Sequence, residues 1–177
     1  MVFKTVDIDE AADVQALPSA PESVSVDGAV TREEWEQSLL CSNFYSYDKK
    51  GKYYFSTILK NQPRIRMMAD KTHLYVSAKI EKDETLELML SPNRETAPSS
   101  VRIKASEEKI EGASGASMKN TDKDGAEIKI PLADLGIKDS SSFFANVVVS
   151  KDKTASYWRG NSFSFKNPLV FVEIARK

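Results

Sequence analysis

The feature that most constrains this chain is a two-residue period that recurs in short segments. Leu74, Val76, Ala78 and Ile80 alternate with Tyr75, Ser77 and Lys79. Leu86, Leu88 and Leu90 alternate with Glu87 and Met89, Val101 and Ile103 with Arg102 and Lys104, and Ile128 and Ile130 with Glu127 and Lys129. Successive side chains of a strand point to opposite faces, so each segment reads as a strand with one buried face. Further strands are expected over 53–59, 63–68, 142–150 and 168–175. Turn-forming clusters separate them: Ala69-Asp70-Lys71, Ser91-Pro92-Asn93, Asp122-Lys123-Asp124-Gly125 and Leu135-Gly136. Parallel strands would need crossover helices, and no run in the chain supplies them. The expected fold is all-β: an antiparallel two-sheet β-sandwich of jelly-roll-like form.

One helix signal stands out near the N-terminus. Thr31 as N-cap with Glu34 three residues on makes a capping box, which predicts a short helix over 32–38 carrying Trp35 and Leu39 on one side. Before it, residues 1–9 suit a strand, and 10–25, rich in Ala, Pro and Ser, read as a linker or extended lead-in. The expected division is a lead-in strand and linker over 1–23 and one sandwich domain over 24–177. At 177 residues, a domain of this size buries a core without staples. Residues 105–125 are small and polar and read as a mobile loop or irregular hairpin.

Composition excludes several classes. The formal net charge is −1 and the basic residues are scattered, so no field favours nucleic acid or a membrane surface. No run reaches the roughly 18 apolar residues of a membrane span. The opening MVFKTVDIDEAADVQ lacks the apolar stretch of a signal peptide. Cys41 is the single cysteine, so no intrachain disulfide forms, and its apolar neighbours predict a small buried hydrophobe.

Catalytic signatures fail as well, and no enzyme is expected. The only histidine, His73, follows Asp70, Lys71 and Thr72 in a turn. The seven glycines form no phosphate-cradling loop, and one Cys with one His builds no zinc set. The stretch Glu81-Lys82-Asp83-Glu84 reads as a solvated connection rather than a glycosidase carboxylate pair. Asn120, Asp122 and Asp124 have oxygen-donor spacing for calcium but lack the full EF-hand pattern, and read as a surface loop.

Parity then defines a face. With Leu86, Leu88, Val101, Ile103, Ile128 and Ile130 in the core, Glu87, Met89, Arg102, Lys104, Glu127 and Lys129 point outward. With Phe143, Ala145, Val147 and Val149 inside, Phe144 and Asn146 point outward. Sugar recognition needs paired donors and acceptors for hydroxyls and aromatic planes for the C–H faces of the ring. Glu87, Arg102 and Asn146 would supply the paired groups. A plain surface ion pair between Glu87 and Arg102 is the other reading.

Several segments, in order, resemble the family-9 carbohydrate-binding modules. Val26-Asp27-Gly28 and Glu33-Glu34-Trp35 are similar to the family's opening Ile-Asp-Gly … Glu-x-x-Trp. His73 to Ile80 is similar to its Leu-Tyr-Val strand, and Glu84 to Leu90 to its Asp-x-Val-Glu-Ile-Phe-Ile strand. Ala126-Glu127-Ile128-Lys129-Ile130-Pro131-Leu132, Asn146-Val147-Val148-Val149 and Tyr157-Trp158 follow in place, and Pro168 to Ile174 takes the closing strand. The resemblance spans 24–175. It implies a β-sandwich outside the cytoplasm, extracellular or periplasmic, attached to a polysaccharide-degrading catalytic domain. It also implies a poly- or oligosaccharide ligand on the concave face of one sheet and structural calcium elsewhere. Glu87, Arg102 and Asn146 fall at polar ligand contacts of the family's motif.

The aromatics depart from that motif. The family clamps a terminal sugar between two tryptophans; here Glu81 or Lys82 holds one position, and Phe163 or Phe165 stands in the region of the other. Those two phenylalanines are therefore the stacking candidates. Trp35 and Trp158 match scaffold positions, and Tyr45, Tyr47, Tyr53 and Tyr54 offer another platform. The resulting reading is a non-catalytic carbohydrate-binding module. The alternative is a structural or interaction β-sandwich that has lost the sugar site. A third reading is a haem-binding relative using Met67, Met68, Met118 or His73 as axial ligands.

Overall fold

Segments with one apolar face become stable only when that face is covered, and here two sheets cover each other. The computed structural model describes residues 14–21, 24–50, 53–121, 125–137, 142–152, 154–159, 166–168 and 171–176. The strands are β1 (Val14–Leu17), β2 (Leu39–Cys41), β3 (Tyr45–Lys50), β4 (Tyr53–Ile58), β5 (Arg64–Ala69), β6 (His73–Lys79) and β7 (Thr85–Ser91). They continue as β8 (Ser99–Lys104), β9 (Lys109–Glu111), β10 (Ser117–Thr121), β11 (Gly125–Pro131), β12 (Ser142–Lys151), β13 (Thr154–Tyr157) and β14 (Val172–Arg176). The larger sheet runs β4-β3-β13-β12-β7-β8-β9, with β14 also paired to β12 and β1 to β14. The smaller sheet runs β10-β11-β6-β5-β2. All named pairs are antiparallel except β1 with β14. The all-β two-sheet sandwich expected from the alternation is the fold observed.

The core lies between the sheets and follows the parity of the strands. Leu86, Leu88, Val101, Ile103, Phe143, Ala145, Val147 and Val149 meet Ile65, Met67, Leu74, Val76, Ala78, Ile128 and Ile130 in one apolar cluster. Burying each large aliphatic side chain contributes about 1.5–3 kcal/mol. Cys41 and Trp158 belong to this cluster, as the sequence suggested. Burial pushes the Cys41 thiol far up, which keeps it in the unreactive protonated form. Trp35 is buried elsewhere: with Met68 and Tyr75 it covers the outer face of the smaller sheet. Met67 and Met68 thus pack into different clusters, and Met118 rests against the main core.

A buried carboxylate fastens that outer layer. Glu127 on β11 points away from the core yet has no exposed surface. Its Oε1 accepts from the Trp35 indole N–H at 2.8 Å, and its Oε2 from the backbone N–H groups of Gly28 at 2.9 Å and Asp27 at 3.2 Å. The stretch from Asp27 to Trp35 is therefore tied to the middle of the smaller sheet. Parity placed Glu127 outward correctly, but outward here does not mean solvent.

Three local expectations are revised. The helix is one turn, Arg32–Trp35, rather than 32–38. The Thr31 hydroxyl caps it, accepting from Glu34 N–H, and itself donates to the Glu34 carboxylate at 2.8 Å. The next turn is cut off because the Trp35 carbonyl is taken by Ser38 and by Arg66, and Leu39 already belongs to β2. Residues 105–125 are not simply a loop: β9 joins one edge of the larger sheet and β10 one edge of the smaller. Each edge strand has a single partner and is half exposed, so its apolar signal is thin (Ile110 and Met118). Within the lead-in, β1 lies parallel to β14 and Ser19 bridges to Ala69 of β5, so this segment touches both sheets. The closing strand starts at Val172 rather than Pro168. The strand expected over 1–9 lies outside the described residues. Among the described residues, no helix is long and apolar enough to cross a membrane.

Candidate functional site: a charged groove on the larger sheet

Register brings the polar alternates of four strands onto one face. Glu87 on β7 stands opposite Arg102 on β8, which in turn stands opposite Glu111 on β9. Lys104 stands opposite Lys109, and Thr85 opposite Ser150 of β12. These seven residues line a groove of about 400 Å³ on the side of the sheet away from the core. The groove exists because β9 extends the sheet beyond β8. Gly112, with φ +92°, ends β9 in the left-handed region, where any Cβ would run into the Ser100 carbonyl.

The charges in the groove are paired but not spent. Glu87 is mostly covered, its side chain 12% exposed, while Arg102 is 55% exposed. The Ser100 hydroxyl donates to Glu87 Oε1 at 2.6 Å, and Arg102 Nε lies 3.6 Å from the same oxygen. Glu87 thus lies nearest the inner nitrogen of the guanidinium, which is half exposed and lines the groove. Lys109 Nζ meets Glu111 Oε1 at 2.6 Å. The Lys109 hydrogen bond, with the charges of Lys109, Arg102 and Lys104, holds the Glu111 carboxyl below its ordinary range; the same contact raises the Lys109 ammonium. Lys104 reaches Glu107 at 3.3 Å. Exposed pairs of this kind contribute at most about 1 kcal/mol each, so a ligand can exchange them at small cost.

The acidic connection before β7 sits beside the groove. Glu81 and Asp83 share the Lys151 ammonium at 3.1 and 2.7 Å. That hydrogen bond holds the Asp83 carboxyl low. With the Glu81 and Asp83 side chains more than half exposed, this stretch is a solvated connection.

The predicted site residues divide three ways. Glu87 and Arg102 come together in the groove. Asn146 faces the same side of the sheet but is fully buried and does not line it. Its Oδ1 accepts from the N–H groups of Val147 at 2.8 Å and Arg159 at 3.0 Å, and its Nδ2 donates to the Arg159 carbonyl at 3.0 Å. Asn146 therefore staples β12 to the chain after Trp158, where the sequence reading gave it a ligand. Phe163 and Phe165 lie outside the described residues, as do Asp122 and Asp124 of the calcium candidate. Among the described residues, no group of three or more His, Cys, Asp and Glu is placed to hold a metal ion.

Beside the groove the same face turns apolar. Met89, Val148, Tyr157 and Phe171 are buried there with Phe144 packed against them, and the Arg94 guanidinium lies 4.5 Å from the centre of the Phe144 ring. Met89 thus joins a second apolar cluster instead of the open surface expected from parity. Sequence reasoning missed Thr85, Lys109, Glu111 and Ser150. Ser150 carries the same two-residue parity as Asn146 and was findable; Lys109 and Glu111 lie on a three-residue edge strand that leaves almost no periodic signal.

No protein-family model matches the chain, and no curated protein or solved structure is significantly similar to it.

Proposed function

We propose that this β-sandwich is a non-catalytic module that binds a poly- or oligosaccharide in the groove formed by Glu87, Arg102, Lys104, Lys109, Glu111, Thr85 and Ser150. The observation that carries the reading is the convergence of donors and acceptors from four strands on one cavity of about 400 Å³. That volume falls within the range of small-ligand sites, about 300–1,000 Å³. A guanidinium fork and adjacent carboxylates can each engage two hydroxyls of one sugar ring. By its family resemblance the module would act outside the cytoplasm beside a polysaccharide-degrading catalytic domain, with Phe163 and Phe165 as stacking partners.

A glycan array followed by affinity gel electrophoresis tests this. Arg102→Ala removes a charge-assisted pair of hydrogen bonds and is expected to weaken binding roughly ten- to hundredfold. If the wild-type protein retains no glycan, or Arg102→Ala binds unchanged, the groove is not a sugar site. The second reading is a structural or interaction domain. It is favoured by Asn146 being committed to backbone and by both tryptophans packing away from the groove.

A further inference from the structure

Resting on that reading, we infer that the groove selects saccharides bearing carboxylates: an acidic, uronate-type glycan rather than a neutral one. Three cations, Arg102, Lys104 and Lys109, line the groove against two carboxylates, Glu87 and Glu111, in a chain whose formal net charge is −1. With Glu107 paired to Lys104, each of the three cations is matched by a carboxylate, so a ligand carboxylate enters by exchange for one of them. The two carboxylates differ in role. Glu87 is mostly covered and bonded to Ser100, so it serves as the fixed support of Arg102. Glu111 is half exposed and sits at the end of a three-residue edge strand, in contact with Lys109 and opposite Arg102.

Glu111 therefore occupies the place a ligand carboxylate would take among the three cations. A uronate entering the groove meets a guanidinium fork and two ammonium groups, and its hydroxyls meet Thr85 and Ser150. A neutral sugar meets the same hydroxyl partners and can accept hydrogen bonds from Lys104 and Lys109, but it brings no charge to pair with them. The consequence has a distinctive sign. Removing the charge of Glu111 strengthens binding of an acidic sugar, whereas removing a carboxylate that contacts hydroxyls would weaken binding of any sugar.

The test is isothermal titration of the whole chain with trigalacturonate, its fully methyl-esterified form, xylotriose, and a short poly-glutamate. Trigalacturonate is expected to bind at least tenfold tighter than its ester. Lys104→Ala is expected to weaken it several-fold, and Glu111→Gln to tighten it about two- to fivefold, the scale of one exposed charge pair. Raising salt should erode the preference. If the ester or xylotriose binds as well as trigalacturonate, the acidic preference is overturned while the sugar-binding reading stands. If none of the three sugars binds, both fail. If poly-glutamate binds as tightly as trigalacturonate, or Glu111→Gln weakens trigalacturonate, the groove reads something other than an acidic sugar and the inference is wrong.

Discussion

Glu127→Ala should be the most damaging single change in the described structure outside the hydrophobic core. The carboxylate accepts three hydrogen bonds, from Trp35 Nε1, Gly28 N and Asp27 N at 2.8, 2.9 and 3.2 Å. Alanine takes this acceptor away from the buried Trp35 indole and from the Gly28 N–H, while Asp27 N is only partly buried and can turn to water. Each orphaned donor costs about 1–3 kcal/mol, which centres the loss near 4 kcal/mol. Releasing the carboxylate from a buried site offsets part of this, so about 3–4 kcal/mol remains. In a chain of this length that is roughly 6–16 °C in melting temperature. Urea unfolding followed by tryptophan fluorescence reads it as a lower midpoint with unchanged slope. Trp35→Phe keeps an aromatic ring but removes the donor and part of the buried ring volume, and is expected to cost at least about 1–2 kcal/mol. The two changes share one hydrogen bond, so the double variant should cost at least about 0.5 kcal/mol less than the sum. A loss below about 1 kcal/mol for Glu127→Ala, or strict additivity with Trp35→Phe, would refute the account.

Three further outcomes follow from local geometry. Burial alone would raise the Asp70 carboxyl, but the N–H groups of Thr72 and His73 and the hydroxyls of Tyr75 and Thr72 carry it down to about 2. Its folded value lies below its unfolded one, so its stabilisation is present above pH about 4 and lost as pH falls through 2. With a side chain 37% exposed, the contribution is about 1 kcal/mol after screening, and the gap between wild type and Asp70→Asn in urea midpoint should close over that window. Tyr75, pushed up to about 12 by burial and by Asp70, should ionise late in an alkaline absorbance titration at 295 nm; its contribution is lost as pH rises from 10 toward 12. Asn146→Ala leaves the Val147 and Arg159 N–H groups without their acceptor and should cost about 2 kcal/mol in urea unfolding, with sugar binding affected only through the fold.

The sandwich was legible because half-buried strands write their burial into every second residue. Leu86 to Leu90 and Val101 to Ile103 place an apolar residue at every second position, and their register follows from matching the apolar faces. The edges were not legible. Three residues cannot display a period, and neither β2 nor β9 is longer. The face pointing away from the core was legible only as a direction. Parity places Glu87, Asn146 and Met89 on the same side of the larger sheet, yet one lines a groove, one is clamped to backbone and one lies in a second apolar cluster. What separates them is where a distant segment of chain lies over the sheet, and no local pattern encodes that.

The same distinction governs what the motif resemblance carries. Asp27, Gly28, Trp35 and Glu127 were recognised as separate pieces, about a hundred residues apart, and they meet in a single hydrogen-bonded cluster. Gly28 takes φ +87°, which brings its N–H to the carboxylate while the indole reaches it from the following helical turn. Such a cluster constrains three residue types at once for reasons of folding alone: Gly28 by its φ, and Trp35 and Glu127 by their side chains. Any sandwich that closes its smaller sheet this way must carry the set, whatever it binds. On the function proposed above, the ligand would be decided on the opposite sheet, where β8 and β9 can exchange charged residues at small cost in stability because the groove is solvent-facing. Substitutions at Arg102, Lys104, Lys109 and Glu111 should therefore move binding with little change in unfolding, and substitutions at Trp35 and Glu127 should do the reverse.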